Sequence, residues 1–245
     1  KDYAGLLYGS PNGIKNSGTG TSDGNFRTSG TRNFSSKASY GFISSGDMVT
    51  GNGLPATVNG LYVYKFDPTD KVTLTATVRA DSILKMSSGH IITGSSFFVE
   101  LGKDVINRGT LDYNTGYVVG KMRRWYNGTN SGNASGLFPL GEDISGTLRN
   151  RKYLIEFSSA PSSGGYLDVN FNHVDMGMAG LPIAGIPAVG SCSSFDVTTT
   201  EDEGYWIGTP QSSTLGDGAY ALSLTGEHFS TVTDLCQLTL LKRVG

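Results

Sequence analysis

The chain of 245 residues has only 2 cysteines, 8 prolines and 3 histidines, and 16% of its residues are charged. Two cysteines, Cys192 and Cys236, are too few for the disulfide framework that holds small secreted domains together. They leave two readings open, one bridge or two buried thiols. A bridge between them would remove roughly 4 kcal/mol of unfolded-chain entropy in the usual loop model. Neither sign of charge dominates, since 19 Lys and Arg stand against 21 Asp and Glu for a net charge of −2. A polyanion partner needs a basic surface to displace phosphate counterions, so nucleic acid is not an expected partner. No apolar run approaches the roughly 18 to 20 residues that cross a bilayer as a helix, so no membrane span is expected. Lys1-Asp2-Tyr3 does not read as the start of a signal peptide. Helical periodicity is equally scarce, because no window of about a dozen residues repeats apolar side chains at i, i+3, i+4 and i+7.

What is abundant points the other way. The 35 Gly, the many Ser, Thr and Asn, and the 12 Tyr and 11 Phe describe short strands joined by tight turns, an all-β composition. Period-two alternation picks out the strands. Over Lys71 to Arg79, Val72, Leu74, Ala76 and Val78 alternate with polar residues; over Leu167 to Phe171, Leu167, Val169 and Phe171 share a side. Ala219 to Thr225 sets Tyr220, Leu222 and Leu224 on one face, and Leu235 to Arg243 reads as a last strand that aims Cys236 inward. Between Tyr40 and Leu101 short strands recur, separated by Gly, Asn, Asp and Pro. Residues 9 to 39 have few large apolar side chains and in isolation would read as a linker. Backbone pairing against neighbours, as in a solenoid rung or an extended edge, would order them.

Several motifs occur in a fixed order. Gly116-Tyr117-Val118 leads a basic-aromatic segment, then come Phe138-Pro139-Leu140-Gly141 and the strand Arg149-Asn150-Arg151-Lys152-Tyr153. Upstream lie Thr50-Gly51-Asn52-Gly53-Leu54-Pro55 and Leu84-Lys85-Met86-Ser87-Ser88-Gly89-His90-Ile91-Ile92-Thr93-Gly94; downstream lie Glu203-Gly204-Tyr205-Trp206-Ile207 and Tyr220-Ala221-Leu222-Ser223-Leu224. Together, over about residues 50 to 245, they resemble a recurrent module of large Bacteroidota cell-surface proteins exported by type IX secretion, in which β-solenoid rungs precede a β-sandwich. The resemblance implies a structural or adhesive part of an extracellular protein and brings no catalytic residues with it.

Candidate chemistry is sparse. Gly51-x-Gly53-x-x-Ala56 fits a loose dinucleotide fingerprint, but Pro55 and a following strand stand where that motif needs a helix. His90, His173 and His228 are far apart, with no carboxylate or thiol at metal spacing, and Ser191 lacks the Gly-x-Ser-x-Gly setting of a nucleophile elbow. Glu201-Asp202-Glu203 is the strongest acidic cluster; its oxygens suit a hard cation, which leaves calcium as the one cofactor considered, against a solvated turn. Trp125, Tyr126, Tyr205 and Trp206 would stack sugar rings if exposed, and fill the core otherwise. Lys121, Arg123 and Arg124 read as one charged strand face. Val174 to Gly190 carries Met176, Met178, Leu181, Pro182, Ile183 and Ile186 among glycines and prolines, which reads as a packed loop or as an interface with a neighbouring copy or module.

The expectation is therefore an all-β chain: a short solenoid-like or extended part over residues 1–108, then an antiparallel β-sandwich over residues 109–245. Its expected duty is that of a non-catalytic structural or adhesive surface module, self-associating by strand addition. The alternative is a carbohydrate-binding module of a secreted protein, calcium-assisted.

Overall fold

The computed structural model describes residues 5–20, 23–24, 26–188, 190–200, 202–211, 215–230, 232, 234, 236 and 238–242. The first half holds β1 (Gly5–Tyr8), β2 (Ser39–Ser44), β3 (Met48–Val49), β4 (Thr57–Lys65), β5 (Lys71–Thr73), β6 (Val78–Ser88), β7 (His90–Leu101), β8 (Thr110–Tyr113) and β9 (Val118–Tyr126). A five-residue helix, α1 (Gly132–Gly136), precedes β10 (Leu137–Phe138), β11 (Leu140–Ile144), β12 (Thr147–Asn150), β13 (Tyr153–Phe157) and β14 (Gly165–Asn172). β15 (Ile183–Ile186), β16 (Phe195–Val197), β17 (Tyr205–Pro210) and β18 (Tyr220–Leu224) complete the fold.

Up to β11 the pairing is parallel, the mark of a solenoid. One ladder stacks β1, β2, β4, β6 and β8, and a second stacks β3, β5, β7, β9 and β11. The long strands turn a corner and serve twice. The start of β4, the start of β6, the end of β7 and the end of β9 form a third ladder, in which Val58, Ala80, Leu101 and Arg124 are successive register partners. Apolar side chains stack rung upon rung inside: Tyr40, Leu61, Leu84 and Leu111 in one row, and Met48, Val72, Ile91, Val118 and Leu140 in another. Every side chain in the two rows is buried, and deleting a Leu from such a row costs about 2–5 kcal/mol.

The corners depart from the alternation pattern. Residues 71 to 79 are not one strand: β5 ends at Thr73 and β6 begins at Val78, with Ala76 exposed at the bend between them. Thr50 Oγ1 accepts the Thr75 amide at 3.0 Å, so a side chain replaces a strand neighbour at that corner. Gly120 adopts φ +114°, and a Cβ there would lie 2.0 Å from Thr93 Oγ1, which bonds the Lys121 amide at 3.1 Å. The polar N-terminal segment is ordered by main-chain pairing. The Ile14 amide donates to Thr50 O, the Gly53 amide to Ile14 O and the Val49 amide to Pro11 O, and Ile14 caps the core fully buried. Arg32 gathers the loop before β2 by donating to Lys15 O at 2.9 Å and Thr28 O at 3.0 Å.

Beyond β11 the pairing turns antiparallel. β14 joins β9 and β17 joins β14, which extends the third ladder, while β12 folds back on β11. A separate sheet orders β10, β13 and β18, and β15 pairs with β16. Within the three-stranded sheet Tyr153 stacks edge-on against its register partner Phe138 at 5.7 Å, and Tyr126 of β9 in the large sheet meets Phe138 at 6.3 Å and Phe157 at 5.4 Å. The reading of 235 to 243 as a strand is not met: the described residues 238–242 belong to no strand. Cys236 is nonetheless joined to Cys192 by a disulfide across 44 residues of sequence. Among the described residues, no helix is long and apolar enough to cross a membrane.

Candidate functional site

The outer side of the third ladder carries a row of alternating charge. Arg79, Glu100, Arg123 and Asp168 are register partners on β6, β7, β9 and β14. The Arg79 and Arg123 guanidinium groups stand 3.6 and 3.7 Å from the two oxygens of Glu100. Arg123 then grips Asp168 with Nε at 2.5 Å and Nη2 at 2.9 Å, while Lys121 approaches the same carboxylate at 3.7 Å. This hydrogen bond holds the Arg123 pKa above its ordinary value. Tyr166, beside the row, is pushed up to about 12 by burial and by Glu100. Lys121 and Arg123 also flank the Phe98 ring at 4.6 and 4.5 Å. The expected single charged face of Lys121, Arg123 and Arg124 is thus split by the pleat: Arg124 points inward with Met122 and Tyr126, and only 2% of it is exposed. That burial lowers its pKa.

A second charged group is wholly interior. Arg151, with no exposed surface, donates from Nε to Glu142 Oε2 at 3.1 Å, and its Nη2 lies 2.9 Å from the same oxygen. The Phe171 and Phe229 rings lie 4.7 and 4.4 Å from the guanidinium carbon. The other oxygen of Glu142 lies 2.6 Å from His173 Nδ1. His173 is half exposed and borders a groove of about 440 Å³ on the outer side of the second ladder, floored by Ile92 and Val119 and walled by Glu142, Asp143 and Phe171. Lys71 at 2.5 Å from Asp143 holds that carboxyl below the usual carboxylate range.

The sequence-predicted residues are dispersed. Tyr126 is buried; Trp206 packs between Phe171 at 5.1 Å and Phe229 at 6.0 Å and donates Nε1 to Arg151 O at 2.8 Å. Tyr205 meets the Asn172 side chain. Trp125, on the opposite side of β9 from Tyr126, stands edge-on to Tyr166 at 5.0 Å. The four rings therefore form no common platform. Glu201 lies outside the described residues, Asp202 is exposed, and Glu203 is engaged by Ser230, whose bonds hold its pKa low, and by Arg149 at 3.4 Å. No group of three or more His, Cys, Asp or Glu side chains among the described residues is placed to hold a metal ion. In the 174–190 excursion, Met178 and Ile183 are exposed, Met176, Leu181 and Ile186 partly so, and Leu181-Pro182 is a cis peptide.

Sequence reasoning did not bring Arg151, Glu142 and His173 together. Their separations of 9 and 31 positions leave no local pattern, and only the folding of β11 to β14 joins them. Arg124 was findable, since Met122, Arg124 and Tyr126 fall on one side of a strand by parity.

Comparison with known protein families, with curated proteins and with solved structures finds no match to this chain.

Proposed function

We propose that the chain is a non-catalytic, shape-determining module of an extracellular bacterial surface protein, structural or adhesive in duty and exported by type IX secretion. The observation that carries this reading is the parallel ladder from β1 to β11, in which interior and exterior side chains repeat rung by rung. Such a stack makes a rod from main-chain bonds and presents flat, regular outer faces. The second layer of β10, β13 and β18 against β9, β14 and β17 is read as a small β-sandwich that closes one end. At the other end β1 is, among the described residues, the terminal strand of its sheet. An open edge of this kind accepts a strand from a neighbouring copy or module through backbone bonds. The exposed Met178 and Ile183 belong to the same reading, as contact points with such a neighbour.

Electron microscopy and light scattering of the purified protein at neutral pH test the assembly clause. Polymers or oligomers are expected, lost when Leu6→Pro and Leu7→Pro remove amide donors from β1. A wild-type protein that stays monomeric at high concentration defeats it.

The groove beside His173 favours a second reading, a carbohydrate-binding module. Apolar floor residues and carboxylates at the wall suit the two faces of a neutral sugar ring. A glycan array with wild type, His173→Ala, Trp125→Ala and Trp206→Ala variants separates the readings. Specific binding lost in His173→Ala supports the second, and no binding by wild type removes it.

A further inference from the structure

The interior row of the third ladder ends in a cation without a counter-charge. Arg124 Nη1 donates to Leu137 O at 2.5 Å and Nη2 to Ala134 O at 2.8 Å, and the guanidinium faces the Tyr126 and Phe138 rings at 6.0 and 5.9 Å. Among the described residues no carboxylate pairs with it. A buried charge normally has an ionic partner, because the desolvation cost is otherwise uncompensated. Arg151 shows what this protein does elsewhere, where Glu142 supplies that partner.

The three residues after Arg124 add a second anomaly. Trp125 Nε1, Tyr126 Oη and Asn127 Oδ1 are buried and have no hydrogen-bond partner among the described residues, and of these Tyr126 shares the inward side of β9 with Arg124 while Trp125 faces the other side. Nearly all buried polar atoms in folded proteins are paired, so the unpaired Tyr126 hydroxyl beside an uncompensated guanidinium marks a place where something else supplies the bond. All four residues line one cavity of about 110 Å³, and the exposed Arg108 stands at it as well. None of the lining residues is acidic.

We propose that this cavity binds a small oxyanion, a carboxylate or phosphate group, with Arg108 and Tyr126 as donors and Arg124 as the buried counter-charge. The volume fits: at roughly 30 Å³ for each water, it holds three or four waters or one such group. Waters alone would satisfy the donors but leave Arg124 uncompensated, whereas an oxyanion does both. A half-turn of the Asn127 amide exchanges its oxygen for the Nδ2 donor at no steric cost. The site is independent of whether the chain assembles.

Thermal unfolding in sodium phosphate, sodium acetate or sodium glucuronate, each against sodium chloride at equal ionic strength, tests it. Ligand that binds only the folded state raises Tm with its concentration. A rise in at least one of the three over chloride is expected, with the apparent affinity weakened about tenfold or more in Arg108→Gln, as loss of one charge-assisted bond predicts. Arg108 is at the surface, so this variant folds. Tyr126→Phe is expected to weaken the response as well, while in chloride its Tm is equal to or above that of wild type, since an unpartnered hydroxyl has been removed. A response to acetate and glucuronate but not phosphate assigns the source as a carboxylate; the converse assigns a phosphate. Equal Tm in all four salts, or an equal response in wild type and Arg108→Gln, overturns the proposal.

Discussion

Arg123 and Asp168 are register partners across the junction between β9 and β14, where the third ladder changes from parallel to antiparallel, and two hydrogen bonds of 2.5 and 2.9 Å join them. Asp168 is also the last carboxylate of the alternating row that begins at Arg79. The pair therefore ties the solenoid to the strands that extend it. Asp168→Asn is expected to cost about 2 kcal/mol, below the 3–5 typical of a fully buried pair because the Arg123 side chain keeps some solvent contact. Arg123→Met combined with Asp168→Leu is expected to recover most of that loss. Urea unfolding of the single and double variants measures both, and a double variant no better than the single would show that the charges matter beyond satisfying one another.

Arg151 has no exposed surface and neutralises Glu142. Arg151→Met leaves that carboxylate with His173 alone, and a loss of about 3–5 kcal/mol is expected. Adding Glu142→Gln should restore part of it. Thermal melts of the set decide; an unchanged Tm in Arg151→Met would remove the ion pair from the account of stability.

Gly51 turns at φ +79°, where a Cβ would lie 2.2 Å from Ile14 O. Both the left-handed backbone and the close approach exclude a side chain, so Gly51→Ala should cost about 2 kcal/mol or more. Hydrogen exchange is the informative probe, because the loss should open the segment around Ile14 before the rungs from β6 to β9. Uniform loss of protection would contradict that localisation.

His90 is buried, its ring stacks on Tyr117 at 5.3 Å, and its Nδ1 accepts the Tyr117 amide at 3.0 Å. Burial foremost, and Lys71 after it, lower its pKa below the ordinary 6.5, against raising influences from a hydrogen bond to the Pro68 backbone and then from Asp143. The folded state thus refuses a proton that the unfolded state accepts. Its contribution is complete above about pH 6.5 and falls as pH drops through that value toward the folded pKa. Asp143, also depressed, loses its contribution only at lower pH, below about 4. Stability measured from pH 7.5 to 5 should decline in wild type and stay flatter in His90→Gln; parallel curves would exclude His90 as the cause.

Reduction of Cys192–Cys236 reopens a loop of 44 residues, worth roughly 4 kcal/mol in the entropic model. The expected result is loosening of residues 174–236 with β2 to β9 unaffected, read by hydrogen exchange with and without reductant.

The all-β class and the strands around Leu167 and Tyr220 were legible in the sequence because side-chain alternation on a pleated strand is a local property. So was the ordering of the polar N-terminal segment by backbone pairing, since its composition offered no other means. Alternation misled over 71 to 79, where the solenoid corner keeps Val72 and Val78 inside but turns Ala76 out. It also missed that Arg124 is interior, although its parity with Met122 said so, because a lone cation is ordinarily assigned to solvent. What the sequence by itself determined is the strand-and-turn chemistry: which short segments pleat, and where glycine permits the chain to turn. Only the tertiary structure decided which strands stack in parallel, that Arg79, Glu100, Arg123 and Asp168 fall in one row, and that Arg151, Glu142 and His173 meet. Those relations depend on register between segments far apart in the chain, and register is fixed by the rows of side chains closing on one another inside the stack.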